Sequence, residues 1–302
     1  AWRGAHKMLV ESHIQVDMLY SVLAEDLSRY PMIILPEPGA YEAGMMDRLR
    51  QYVSDGGVLV AVGKSLLQGG RFQLEDVFGI RYLEPLSFET AHFEPTGPVK
   101  GATAELPLQV RGQTYKVRRD GAEELAALIY PMAQHQPPVR AFRSPYPPPA
   151  AERSPFPFAT LRRYGRGQAV YVAASIFDIY WRTNHHWLRQ FMEGVLRYVD
   201  PGEPYEVEAS SQIEVNLMRK GSDLLLNLIH FALGHQGGQS AISGIERVHP
   251  VHNVACAVRC RHPQEVVIEP QGQSIPFTYE EGMARFVVPE VEYLAIVRIA
   301  EG

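Results

Sequence analysis

Hydrophobic and polar positions divide the chain into two parts with different periodicities. Up to about residue 200, short apolar runs alternate with segments in which apolar residues recur at helical spacing. After about residue 204, apolar and polar residues alternate, as in strands with one buried face. We therefore predict two domains, residues 1–202 and 203–302, a number that suits a chain of 302 residues.

The first domain begins with strand and helix patterns in alternation. Residues 14–19 and the apolar run Met32–Leu35 predict strands, residues 40–54 predict a helix that stops at Gly56–Gly57, and Val58–Val62 predicts a further strand. Continuously apolar strands are typical of a parallel sheet that is buried on both faces. The expected fold is α/β, a flavodoxin-like doubly wound parallel sheet.

The two ends of this domain add helices. Trp2–Val10 has a helical pattern that is already under way at the first residue, so we expect a segment upstream of it. Near residue 200, a strand pair at Ala159–Tyr164 and Ala169–Ala174 precedes a helix that Thr183 or Asn184 caps.

A proline-rich segment, residues 131–157, separates the two halves of the first domain. It holds nine of the 23 prolines of the chain. Because proline at this density disfavours helices and central strands, we predict an extended surface loop. Such a loop is either a connector or a segment that reaches a neighbouring chain or an upstream domain.

The second domain, residues 203–302, reads as six short strands without a helix, which predicts a small all-β antiparallel sandwich. Its Cys256 and Cys260 stand four positions apart on a strand pattern, too far apart along one strand for a local disulfide. We predict that both are buried small hydrophobic residues.

Composition excludes some classes of partner. The net charge is −5 and no run of Lys or Arg forms a basic face, so we expect no nucleic-acid partner. No apolar run approaches the ~20 residues that cross a bilayer, so we expect no membrane partner. With no secretory signal and two unpaired cysteines, a cytoplasmic location is expected.

Several segments in sequence order resemble the glutamine-amidotransferase-like domain that β-galactosidases carry as a trimerisation domain, also found in related α-L-fucosidase-type glycosyl hydrolases. The matching segments are Glu25–Pro36, Leu49–Val60, Ser65–Leu67, Leu74–Ile80 and Gly165–Tyr171. The second domain is similar to the β-domain that ends such glycosidases.

The resemblance implies that this chain is the non-catalytic accessory and oligomerisation region of a glycosidase. It implies an upstream TIM-barrel domain with the two catalytic carboxylates, which this chain has no room to contain. It also implies a homo-oligomer, a carbohydrate substrate for the parent enzyme, and no cofactor in this chain. A carbohydrate-binding module is an alternative, although bracing of the neighbouring domain suits the few aromatic residues after position 205 better.

A stand-alone amidotransferase-like hydrolase is the other alternative. The turn after Val58–Val62 is where such enzymes carry a nucleophilic cysteine between glycines. Here Ser65 replaces the cysteine and Leu67 replaces the second glycine. Ser65 needs a base, for which His185 and His186 are the candidates. The other interpretation is that Ser65 caps its turn and that both histidines are solvated.

Other chemistry has less support in the sequence. Three carboxylates, Glu37, Asp55 and Asp178, follow strand or helix ends but match no glycosidase motif, although glycoside hydrolysis uses a pair of carboxylates. An aspartate–histidine pair of Asp178 with His185 or His186 lacks a third partner at a fixed spacing. No histidine or cysteine spacing is typical of a metal site, so we predict no metal.

Overall fold

The computed structural model describes residues 1–19, 26–37, 41, 44–103, 106–132, 135–136, 139–140, 148–200, 202, 204–231 and 247–302. The chain forms two compact units, residues 1–5 with 18–201 and residues 6–17 with 202–302. The α-helices of the described residues are α1 (Trp2–Glu11), α2 (Met45–Ser54), α3 (Glu75–Phe78), α4 (Ile176–Thr183) and α5 (His186–Val199). None of these helices has both the length and the apolar character that a membrane span requires.

The first unit is built around a seven-stranded mixed sheet. Its described strands are β1 (Met32–Leu35), β2 (Val58–Val62), β3 (Leu67–Gln68), β4 (Arg71–Phe72), β5 (Ile80–Pro85), β6 (Thr90–Pro95), β7 (Leu108–Arg111), β8 (Tyr115–Arg119), β9 (Glu123–Pro131), β10 (His135–Gln136), β11 (Val139–Arg140), β12 (Ala150–Tyr164) and β13 (Gly167–Val172). The sheet order is β1-β2-β13-β12-β9-β6-β7. The remaining strands form the short antiparallel pairs β3–β4, β5–β8 and β10–β11.

The prediction of a flavodoxin-like doubly wound parallel sheet is wrong. Of the described strands in this sheet, β1, β2 and β13 pair in parallel, whereas β12, β9, β6 and β7 continue the sheet in antiparallel fashion. The antiparallel strands come from residues 90–164, where polar and proline residues conceal the strand pattern. Sheet pairing, rather than helical crossovers, therefore dominates this unit.

The proline-rich segment also departs from its prediction. Residues 150–157 belong to β12 and pair with β9, whereas the pairs of β12 with β13 begin only at Ala159. The β12–β9 register shifts between Ala150 and Arg153, again before Pro157, and again before Ala159. Proline fits in this part of β12 because a strand edge or a bulge leaves backbone positions without a ladder partner. Residues 133–134, 137–138 and 141–147 lie outside the described part of the segment.

Two local predictions need correction as well. Residues 14–19 form no strand, and Gln15 of this segment instead accepts the backbone N–H of Leu217 at 3.0 Å within the second unit. The helix predicted after Thr183 or Asn184 is α5, but its N-cap is His185, and a helix that was not predicted, α4, precedes it. Asn184 ends α4 with φ +52°, a left-handed conformation that asparagine tolerates, and so turns the chain between them.

Aromatic side chains fill the core on one face of the mixed sheet. The rings of Phe93 and Phe158 are stacked with centroids 4.1 Å apart, and the ring of Phe191 on α5 lies 4.7 Å from Phe93. All three side chains are fully buried. This packing fixes α5 against β6 and β12.

The second unit contains two antiparallel sheets over a common apolar core. Its described strands are β14 (Tyr205–Glu208), β15 (Ile213–Lys220), β16 (Asp223–His230), β17 (Val251–Arg259), β18 (Pro263–Glu269), β19 (Gln273–Ser274), β20 (Phe277–Glu280), β21 (Met283–Val291) and β22 (Leu294–Glu301). The sheet orders are β14-β17-β21-β20 and β15-β16-β22-β18-β19. Cys256 and Cys260 are free thiols buried in this core, which confirms their prediction as small hydrophobic residues.

Candidate functional site

The carboxyl ends of the three parallel strands bring a set of polar residues together in the first unit. Glu37 lies two residues after β1, the turn Gly63–Ser65 follows β2, and Ser175 lies three residues after β13. Parallel strands end at the same edge of a sheet, which is where ligands of parallel sheets commonly bind. Tyr115, the first residue of β8, lies beside these ends and joins them through its hydroxyl group.

Glu37 is the central residue of this site. Its side chain is only 6% exposed. The carboxylate atom Oε1 accepts the backbone N–H of Lys64, and the Tyr115 hydroxyl donates to the same atom at 3.5 Å. The approach requires glycine at position 63, because a Cβ there would overlap Glu37 Oε1. The carboxylate therefore ties β1 to the turn after β2.

Two buried tyrosines extend the network. The Tyr115 hydroxyl lies 3.3 Å from Ser175 Oγ, and the Tyr171 hydroxyl donates to the Gly63 carbonyl at 2.7 Å. Burial raises the pKa of Tyr115 to about 12, and burial also raises the pKa of Tyr171 well above its ordinary value. Both phenols therefore stay protonated at neutral pH and act as hydrogen-bond donors.

Ser65, the candidate nucleophile of the sequence, is fully buried at 0% exposure. Its Oγ accepts the backbone N–H of Val62 at 3.2 Å, and its carbonyl accepts a hydrogen bond from Tyr41. Positive φ occurs at Gly63 and not at Ser65, and the pair β3–β4 follows the turn instead of a helix. The strained strand-to-helix turn that exposes a nucleophile is therefore not formed here.

The candidate bases lie at the start of α5. The rings of His185 and His186 are stacked 5.8 Å apart, and His186 lies 4.4 Å from the Trp187 ring. Burial lowers the pKa of His185, and the neighbouring His186 lowers it further. Among the described residues, no hydrogen bond joins Ser65 to either histidine. Asp178 accepts a hydrogen bond from Arg182 Nε at 3.0 Å, its neighbour one turn along α4.

Among the described residues of this site, no hydroxyl group is hydrogen-bonded to a histidine, the arrangement in which a base activates a nucleophile. Within the described ranges, no group of three or more His, Cys, Asp or Glu side chains is arranged to hold a metal ion. The sequence signal for the site is modest: Glu37 is the first acidic residue after an apolar strand. Nothing in the sequence pattern placed Tyr115 beside Glu37, or Ser175 beside Tyr115.

Comparisons with solved structures find a similar fold in parts of several glycoside hydrolases. The chain is similar to α-L-fucosidase isoenzyme 2 from Paenibacillus thiaminolyticus, with TM-score 0.84 and 21% identity over 99% of this chain and 44% of that one. It is similar to the β-galactosidase from Bacillus circulans sp. alkalophilus, with TM-score 0.62 and 17% identity over 99% of this chain and 37% of that one. For the β-galactosidase from Rahnella sp. R3 the TM-score is 0.60 and the identity 16%, over 98% and 36% of the two chains.

At these identities the likeness establishes a shared fold. The chain spans less than half the length of each of these three enzymes. No family model matches the sequence, and no curated protein matches it either.

Proposed function

We propose that this chain is a non-catalytic accessory and assembly region of a glycoside hydrolase, in which a separate barrel domain of the same protein carries out the chemistry. One observation carries the proposal. The Ser65 hydroxyl, at the position where an amidotransferase-like enzyme has its nucleophile, is fully buried and accepts a hydrogen bond from its own turn. A nucleophile must reach its substrate and its base, and this hydroxyl reaches neither.

The structural comparisons support the carbohydrate part of the proposal. The shared fold extends over both units of this chain and matches 36% to 44% of three glycoside hydrolases, which leaves room in those proteins for a further domain. The proposed partners are accordingly an upstream TIM-barrel domain and the carbohydrate that it hydrolyses.

Assembly into a homo-oligomer, of the trimerisation type, is the second part of the proposal. Large apolar side chains of the first unit are exposed, among them Trp2 at 52%, Leu106 at 74% and Met132 at 66%. Side chains of this kind lose solvent contact favourably when a second subunit covers them.

An activity assay of the purified chain tests the first part. We expect no hydrolysis of 4-nitrophenyl α-L-fucoside or 4-nitrophenyl β-D-galactoside above the buffer rate. Hydrolysis that disappears in Ser65→Ala or in a His185→Ala, His186→Ala double variant would show that the chain is itself an enzyme.

Light scattering after size-exclusion chromatography tests the second part. We expect a mass at least twice the 33.9 kDa of one chain. The measured mass of Leu106→Asp should lie closer to that of a single chain. A wild-type chain that stays monomeric at micromolar concentration would exclude the assembly role.

A further inference from the structure

A cleft of about 400 Å³ lies in the first unit between helix α2 and the segment that leads into β1. Its lining includes Tyr30 and Pro31, which precede β1, and Gly56 and Gly57, which precede β2. The cleft therefore lies at the amino ends of these parallel strands, whereas Glu37 lies at their carboxyl ends. Small-molecule sites commonly have volumes of about 300–1,000 Å³, so this cleft has room for one small ligand.

Helix α2 lines one side of the cleft with polar side chains. Arg48, Gln51 and Asp55 follow one another at intervals of three and four residues, so they lie on the same face of the helix and its last turn. Gln51 and Asp55 are exposed, and the Gln51 amide donates to Asp55 Oδ2 at 2.9 Å. This side presents a guanidinium group and an amide as donors, and a carboxylate as an acceptor.

The segment before β1 lines the other side of the cleft. Asp26 Oδ1 accepts hydrogen bonds from the backbone N–H and from the hydroxyl of Ser28, at 3.1 and 2.7 Å. Both residues line the cleft. The two bonds hold a second carboxylate in place, facing the polar side of α2.

Buried side chains give the cleft an apolar part. Leu27 is 5% exposed and Tyr52 is 7% exposed, and both line the cleft. The Tyr52 hydroxyl donates to the Tyr30 carbonyl at 2.9 Å, and the ring lies so close to Gly57 that a Cβ there would overlap it. The ring is therefore fixed. Apolar surface with a few placed polar groups is the usual composition of a small-molecule site.

The charges along the cleft indicate the kind of ligand. Among its described lining residues, Asp26 and Asp55 carry carboxylates and Arg48 carries a guanidinium group, so the charge disfavours an anion. A divalent cation usually requires about six or more oxygen ligands, and within the described residues no group of three or more His, Cys, Asp or Glu side chains could hold a metal ion. A neutral molecule with several hydroxyl groups matches both the acceptors and the donors, because each hydroxyl can donate and accept.

We infer that the cleft between α2 and the segment before β1 binds a neutral sugar of one or two rings. The inference rests on the proposed function, which supplies the carbohydrate context, and it adds a binding site in this chain that is separate from any catalytic barrel. Asp26 and Asp55 accept hydrogen bonds from the sugar hydroxyls, and Arg48 donates to them. The C–H face of the sugar packs against Tyr52. The site holds a sugar without cleaving it.

Saturation-transfer NMR of the full chain with L-fucose, and separately with D-galactose, tests the inference. We expect at least one of the two sugars to receive saturation from the protein and, on titration, to give a millimolar dissociation constant.

Variants of α2 establish whether the sugar binds in the cleft. Gln51→Trp places a large ring in the cleft from an exposed position and should abolish the transfer. Asp55→Asn keeps the size of the side chain but loses the charge, and should weaken binding about fivefold because a neutral acceptor makes a weaker hydrogen bond. Asp47→Asn is the matched control. Asp47 is exposed on the same helix but lies outside the lining of the cleft, so this variant should bind as the wild type does.

Melting curves of each variant establish that it is folded before it is titrated. If Gln51→Trp does not fold, Asp55→Asn and Arg48→Gln decide the question, and both should weaken binding. Absence of transfer to both sugars in the wild-type chain would overturn the inference. So would wild-type affinity in Gln51→Trp or Asp55→Asn, or equal weakening in Asp55→Asn and Asp47→Asn. None of these results bears on the accessory role, which the activity assay and the mass measurement test separately.

Discussion

Gly63 and Glu37 are in such close contact that the glycine has no room for a side chain. A Cβ at position 63 would overlap Glu37 Oε1, and the backbone there has φ +50°. Gly69 has nearly the same backbone, φ +55°, but open space around it. Alanine at position 69 would therefore cause backbone strain alone, whereas alanine at position 63 would cause both backbone strain and steric overlap.

We predict that Gly63→Ala destabilises the chain about 2 kcal/mol more than Gly69→Ala. Both variants place an alanine in a left-handed backbone conformation, which costs about 1–2 kcal/mol. Gly63→Ala also forces a Cβ into space that Glu37 occupies, which adds the cost of overpacking. Urea denaturation of the two variants measures the difference. Equal losses would mean that Glu37 moves aside freely and that its contact with the turn is weak.

Ser65→Ala should lower the free energy of unfolding by about 1–3 kcal/mol, because it removes the buried acceptor of the Val62 N–H. The half-buried Ser211 of the second unit provides the control, and Ser211→Ala should have a smaller effect. Thermal and urea unfolding measure both. An unchanged stability in Ser65→Ala would contradict a structural role for this hydroxyl.

The buried thiol of Cys256 should make the free energy of unfolding depend on pH in the alkaline range. Burial raises the pKa of its thiol from 9.0 to about 12. The unfolded chain therefore releases this proton at a lower pH than the folded chain does. The stabilisation is fully present below about pH 9 and is lost as the pH rises toward 12. Over that window the contribution falls by about 1.4 kcal/mol per pH unit.

Cys256→Ala removes this titration, so its free energy of unfolding should fall less steeply between pH 9 and pH 11 than that of the wild type. Below pH 8 the two curves should run parallel, whatever the constant offset from the smaller side chain. Equal slopes above pH 9 would show that the thiol is not protected from ionisation in the folded chain.

Phe191→Ala should destabilise the chain by about 3–5 kcal/mol, since it opens a cavity beside the stacked rings of Phe93 and Phe158. Tyr198, on the same helix, is 41% exposed, and Tyr198→Ala should change stability by only about 0.5 kcal/mol. Chemical denaturation compares the two. Similar losses would mean that α5 is not held by the aromatic core.

Some elements could be predicted from the sequence because their patterns are local. The apolar runs Met32–Leu35 and Val58–Val62 are strands as predicted, and the helical pattern that begins at Trp2 is α1. Burial of Cys256 also followed from its place in an alternating strand. In each case the residues in one short segment report directly whether it is helical or extended, and which side is buried.

The tertiary structure decided what depends on distant residues. Pairing between strands decides the direction and the neighbours of β12, β9, β6 and β7. The residues of a single segment carry little information about which other strand it pairs with. The candidate site arises in the same way. Glu37 meets Lys64 across 27 residues and Tyr115 across 78. The sequence by itself determined that an acidic residue follows a buried strand. Only the folded sheet brought a backbone N–H and a phenol to the carboxylate of that residue, because such contacts form when strand ends meet in space.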